Sequence, residues 1–200
     1  MSADFAPTNL TNHFLIAMPG LSDDLFGKSV VYLCEHGEKG ALGLIINKPS
    51  GIDLNGLFEK IDLELERDDL MNTLVFNGGP VQTERGFVLH DQILAKGDEG
   101  EDESVYSSTM SIEGGLELTT SRDILESMGS GGGPRRVFVT LGYASWGQGQ
   151  LESEITENSW LTVPADTDLI FETPYEERYD KALALLGLQS WMISPDAGHA

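Results

Sequence analysis

The chain has 200 residues, 40% of them hydrophobic, and sets 12 basic against 33 acidic side chains for a formal charge of −21. That length suits one domain with a buried core. The charge opposes contact with a phosphate backbone, which needs a basic footprint, and no apolar run approaches the roughly 18 residues of a membrane helix.

HFLIAMP (13–19) is an apolar run closed by Pro19-Gly20 and reads as a strand. SVVYLCEH (29–36) and ALGLIINK (41–48) are two more, and the short GEKG link (37–40) between them predicts an antiparallel hairpin. DLNGLFEKI (53–61) is a helix pattern, with Asp53 as cap and Leu54, Leu57, Phe58 and Ile61 on one face. TLVFNGG (73–79), RGFVLHD (85–91) and SVYSSTMSI (104–112) read as strands, the last two flanking an acidic loop at 96–104 that is too charged to bury and is expected to be mobile.

TSRDILESMG (120–129) reads as a helix capped by Thr120 and stopped by Gly129. Ser130 to Pro134 reads as a flexible connector without a domain boundary. RRVFVTLG (135–142) is a buried strand, followed by a helix pattern opening at Ser145. SWLTVP (159–164) and TDLIFET (167–173) read as strands. TPYEERYDKALALLG (173–187) reads as one helix, with a Thr173/Glu176 capping box, Pro174 at its first position and Gly187 at its end. Hairpins first and helices later argue for one α+β domain, residues 1–200, with a mixed, largely antiparallel sheet and loosely packed ends at about 1–10 and 190–200.

A single cysteine, Cys34, makes no internal disulfide, and MSADFAPTNL lacks the basic and apolar regions of a secretory signal, so the expected compartment is the cytoplasm. Arg135-Arg136 is the only doubled basic site. Direct nucleic-acid binding is therefore not expected, nor is membrane attachment. The acidity fits either solubility or a basic protein partner.

Two readings compete at Ser145. A G-x-S-x-G elbow places a strained nucleophile between strand and helix, but here tyrosine (Tyr143) replaces the first glycine. Ser145 and Gln148 instead fit S-x-x-Q, a capping box that satisfies free helix N–H groups. The cap is the better fit, and no catalytic residue is assigned. Gly147 and Gly149 within that helix call for close backbone packing or an anion at its start.

Cys34 and His36 stand two apart on a strand and are expected to share a face, which makes Cys34 the thiol candidate, although a lone strand cysteine is more often a small core residue. His90 ends another strand, where a rim shared with His36 is conceivable. No third ligand stands at a diagnostic spacing, so no metal is expected. Gly78-Gly79-Pro80, with Arg85-Gly86 after it, is a tight turn beside a fixed cation that suits an anion as well as a plain turn. Nucleotide-type glycine loops are absent, and no cofactor is expected.

HFLIAMPGLSDDLFGKSVVYLCEHGEKGALGLIINKP (13–49), FNGGPVQTERGFVLH (76–90) and LGYASWGQGQLESEITENSWLTVPAD (141–166) together resemble the bacterial YqgE/AlgH family. The resemblance covers nearly the whole chain and implies a curved, barrel-like mixed sheet with helices packed around it. It implies no reaction. Members are labelled transcriptional regulators, which points to a regulatory role exerted indirectly, through an unidentified protein partner or small ligand. The resemblance also implies that glycine is accepted at Ser145, which favours the cap over the nucleophile. Its specific residues include Gly142, Tyr143, Trp146, Gly149, Gln150, Leu151 and Glu152. A groove is expected near Trp146, formed by Tyr143, Gly149, Gln150 and Glu152 with Gly78, Gly79, Pro80, Arg85, Gly86 and His90 beside it. The alternative to an interaction protein is an enzyme or anion-binding protein using that glycine-rich groove.

Overall fold

The computed structural model describes residues 8–96 and 102–193. A ten-stranded sheet dominates them, curled into a half-barrel. Its first half is β12 (Trp160–Pro164), β1 (His13–Ala17), β2 (Val30–Gly37) and β3 (Gly40–Ile45), each antiparallel to the next. Its second half is β6 (Val81–Asp91), β10 (Leu116–Thr119) and β9 (Thr109–Ile112), again antiparallel. One long strand, β11 (Val137–Gly147), joins the halves. Val137–Tyr143 pair with β6, while Ala144–Gly147 pair with β3. Alongside β11 in the sheet lies β5 (Leu74–Asn77), its parallel neighbour, which carries β4 (Pro49–Asp53) on its other edge.

Alternation along these strands builds cores on both faces of the sheet. One face buries Phe14, Tyr32, Leu44, Phe76, Leu89 and Phe138 under α4 (Asp168–Phe171) and α5 (Arg178–Leu185). On the opposite face, Leu15, Val31, Leu33, Trp146 and Trp160 pack against α3 (Gln150–Thr156). Further along, Val75, Val88 and Val139 pack against α1 (Leu54–Lys60) and α2 (Arg122–Gly129). Each fully buried aliphatic or aromatic side chain contributes about 1.5–3 kcal/mol, so these three clusters hold the curl.

The expected α+β class, antiparallel hairpin and Asp53 cap are all present; Asp53 Oδ1 accepts from Gly56 N at 2.8 Å. Several elements differ. Ser145 opens no helix. It lies inside β11 opposite Leu42, because Ala144 and Trp146 bury toward α3 while Tyr143 and Ser145 face the other way, a strand alternation. The capping box and the elbow both disappear with that helix. The strand expected at 167–173 is the single turn α4, since Leu169 and Ile170 are both buried and a short apolar run suits either element. The helix expected at 173–187 starts late. Pro174 is extended (ψ 138), Tyr175–Glu177 form a 3-10 turn, and no capping box closes. Ser121, not Thr120, precedes α2, and Gly129 is its last residue rather than its stop. The expected strand at 104–112 is split by bends into β8 (Asp102–Ser104) and β9, with β8 paired to β7 (Leu94–Lys96). The centre of the acidic loop, 97–101, and the extreme ends lie outside the described residues, whereas Leu10 is buried.

Candidate functional site

The candidate residues gather around the corner in β11. Gly142 takes φ +75 there, and the pairing with β6 shifts register between Leu141 and Tyr143. The Gly78-Gly79 turn fits into this corner: Gly78 N donates to Leu141 O at 2.9 Å. A β-carbon on Gly79 (φ +152) would stand 2.1 Å from the Tyr143 carbonyl carbon, and one on Gly142 would stand 2.5 Å from Gly79 O. The glycines of the turn are thus explained by close backbone packing, while Gly86 has open space where its β-carbon would be.

Cys34 and His36 do not share a face. The β2–β3 register shifts between Leu33 and Glu35, so Cys34 is an extra residue in a bulge and the alternation inverts after it. Cys34 joins the core with Phe14 and Tyr32. His36 turns to the α3 side, where its Nδ1 accepts from Leu10 N at 3.0 Å and its Nε2 donates to Glu152 Oε1 at 2.8 Å. Burial, reinforced by the neighbouring Glu35 charge, pushes the Cys34 thiol far above its ordinary range. Native protein at pH 7.5 is therefore expected to be inert to a thiol–disulfide reagent and to react once unfolded in urea. Rapid labelling of the native state would contradict the buried placement.

A motif that the sequence reading missed sits beside this pair. Glu154 Oε2 accepts from Trp146 Nε1 at 2.9 Å and from Trp160 Nε1 at 2.8 Å. Its Oε1 accepts from Gln150 Nε2 at 3.0 Å, and Gln150 Oε1 accepts from Gly147 N. Gly149, at φ 74, supplies the left-handed turn into α3. Gln150 and Glu152 are thus committed to internal bonds. The signal in the sequence was Glu154 standing four residues beyond Gln150, on the helix that packs against two tryptophans.

His90 belongs to neither cluster. It pairs with Val137 at the start of β11, whereas His36 pairs with Ala41, the partner of Trp146 near its end. No common rim joins the two histidines. His90 is fully buried, with Nδ1 donating to Asp91 O at 2.8 Å and Nε2 2.8 Å from Thr119 Oγ1, itself 2.8 Å from Thr109 Oγ1. Burial holds the imidazole below its ordinary 6.5, against smaller opposing effects from the Asp91 carbonyl and the Glu117 and Asp91 charges. As pH falls the unfolded chain takes up this proton first. The stability from the uncharged ring is complete above about 6.5 and is lost as pH falls through the lower folded value. The urea midpoint should fall between pH 7 and pH 5, and less so in His90→Gln; an unchanged slope in that variant would contradict this.

What the structure does bring together is a row on one face: Arg85 lies 5.9 Å over the Phe87 ring, and Phe87 meets Tyr143 at 5.2 Å. The Arg85 guanidinium donates to Gln82 Oε1 and Thr120 Oγ1. Beyond Tyr143, a shallow groove of about 600 Å³ runs over the β2–β3 turn, lined by Glu35, Glu38, Lys39, Tyr143, Ser145 and Trp146. Gly149, Gln150, Glu152 and His90 are not part of its lining, nor are Gly78, Gly79 and Pro80. Among the described residues no cluster of three metal-ligating side chains occurs, and no helix is long and apolar enough to cross a membrane.

Fold and site together define a small α+β half-barrel protein whose distinctive polar side chains are bonded internally. The AlgH-like family model (DUF179) matches residues 14–191, and the chain belongs to that family. It is 69% identical over 200 residues to a UPF0301 protein of Acidovorax sp. (strain JS42) and 66% identical over 200 residues to one of Polaromonas sp. (strain JS666 / ATCC BAA-500), with 100% of each chain covered. Among solved structures it is similar to the solution structure of the AlgH protein from Pseudomonas aeruginosa, with 44% identity, 98% of each chain covered and a TM-score of 0.75. A crystal structure of a Corynebacterium diphtheriae protein shares the fold, with a TM-score of 0.67 at 18% identity over 92% of this chain and 93% of that one. These names state no reaction.

Proposed function

We propose that the protein is a cytoplasmic, non-enzymatic regulator that influences transcription indirectly, through protein or small-ligand contacts. One observation carries the non-enzymatic part. Among the described residues, the thiol and the two strand-end histidines that a catalytic reading would use are occupied: Cys34 is sealed in the core, His36 is bonded to Glu152, and His90 is buried on Thr119. Ser145, which faces the groove, lies within a strand and lacks the strand-to-helix turn of a nucleophile elbow. The regulatory part rests on family membership, and the contact surface we assign is the groove over the β2–β3 turn.

Charge supports the indirect route. Of the Arg135-Arg136 doublet, Arg136 is already bonded to Asp91 at 2.7 Å and to Asp168 at 3.1 Å. With a net charge of −21 there is little cation left to displace counterions from a duplex. Fluorescence anisotropy with a labelled duplex should therefore show no saturable binding at about 50 mM salt, where electrostatic binding is strong. Saturable binding that weakens steeply with added salt would overturn the indirect route.

A further inference from the structure

Arg178, the first residue of α5, is only 6% exposed. Its Nε donates to Thr173 O at 3.0 Å and its Nη1 donates to Ile46 O. The guanidinium lies 5.0 Å from the Phe76 ring centroid and 5.4 Å from that of Phe138. No carboxylate among the described residues pairs with it, and Nη2 has no hydrogen-bond partner among them. Arg136 makes the contrast, with Nε and Nη2 on Asp91 and Nη1 on Asp168. Two carbonyls and two ring faces hold the guanidinium, while Nη2, which is not among the sealed polar atoms lacking a partner, is left accessible on the free side of the fork. Burial lowers the guanidinium to about 10, against a weaker pull from Glu176, so it stays charged at neutral pH.

Beside this cation is a cavity of about 190 Å³, walled by Leu74, Phe76, Phe138, Phe171 and Tyr175. At about 190 Å³ the cavity is smaller than the roughly 300–1,000 Å³ of a drug-sized site, and its largely apolar walls with one convergent charged group suit a correspondingly small ligand. We propose that this cavity binds a small monocarboxylate with an apolar body, its carboxylate on Nη2 of Arg178 and its body against Phe76 and Phe138. A single fixed cation suits one negative charge. A dianion would meet the same cation with Glu176 nearby and the whole chain at −21. This cavity does not touch the groove over the β2–β3 turn, so the two readings stand or fall separately.

The test is an NMR titration of the full chain with benzoate, with benzamide as the uncharged analogue and inorganic phosphate as the alternative anion. Benzoate at up to about 10 mM, a range that reaches even weak sites, should shift the amides of Phe76, Phe138 and Tyr175 in a saturable way, with benzamide and phosphate inert. Arg178→Lys should weaken benzoate roughly tenfold or more, since a single ammonium does not reproduce the planar fork. Should that variant fail to fold, Thr73, which also lines the cavity, offers a second variant: Thr73→Phe keeps Arg178, fills the cavity and should abolish the benzoate shifts. Absent shifts, equal shifts with benzamide, stronger binding of phosphate, or binding retained in Thr73→Phe would each overturn the proposal.

Discussion

Gly79→Ala is expected to destabilise the protein by about 3 kcal/mol or more, through forced backbone displacement added to an unfavourable φ. The methyl group would stand 2.1–2.3 Å from the Tyr143 carbonyl and the Ala144 nitrogen. These are main-chain atoms of β11, the strand that both halves of the sheet share, and they have no rotamer with which to move aside. Gly86→Ala supplies the control. It lies in the same glycine-rich stretch, yet its β-carbon would meet nothing within 4 Å. Its cost should stay within about 1 kcal/mol, as for a surface strand position. Urea denaturation of the two variants separates a packing role from a ligand cradle. Equal, mild effects would mean that the turn does not clamp β11.

The second large effect is expected at Glu154. Trp146 and Trp160 are each about 95% buried, and both indole N–H groups rest on one carboxylate oxygen. Glu154→Ala strands two buried donors at about 1–3 kcal/mol each, so a loss of about 2–6 kcal/mol is expected. Glu154→Gln keeps an acceptor and should lose less. Phe26 packs against both rings, with centroids at 6.4 Å and 5.8 Å, so tryptophan emission should report the same disruption. A loss under about 0.5 kcal/mol in Glu154→Ala, the scale of an ordinary surface change, would contradict this account.

Much of the first half of the chain was legible because its apolar runs are bounded by turn residues. HFLIAMP, the β2–β3 hairpin and the Asp53-capped helix follow from local pattern alone. The elements that misled are those whose conformation is decided by distant partners. Ser145 satisfies the spacing of a cap, but the exposed edge of β3 and the pocket between Phe26 and Trp160 pull Ala144–Gly147 into a strand. The DLIF turn of α4 carries two adjacent buried residues, a pattern that periodicity does not resolve. The bulge at Cys34 left no local mark, and it separates Cys34 from His36.

For the site, the residues that sequence reasoning grouped together are distributed among separate surroundings in the structure. Arg85 and Tyr143 do lie on one row, joined by Phe87. Gln150 and Glu152, polar residues that packing alone does not demand, are instead used to tie α3 to the sheet. Arg178 was hidden because a helical pattern assigns an arginine to solvent, whereas the late start of α5 swings it under the loop at Thr173.

The most direct test of the central claim, action through contacts at the groove, is site-specific crosslinking in growing cells. A photoreactive residue would replace Lys39 in the groove or, as a control, Glu59 on the exposed side of α1. The account predicts defined protein or small-molecule adducts from position 39, none from position 59, and no recovered DNA from either. DNA crosslinked at position 39, or identical adducts from both positions, would contradict it.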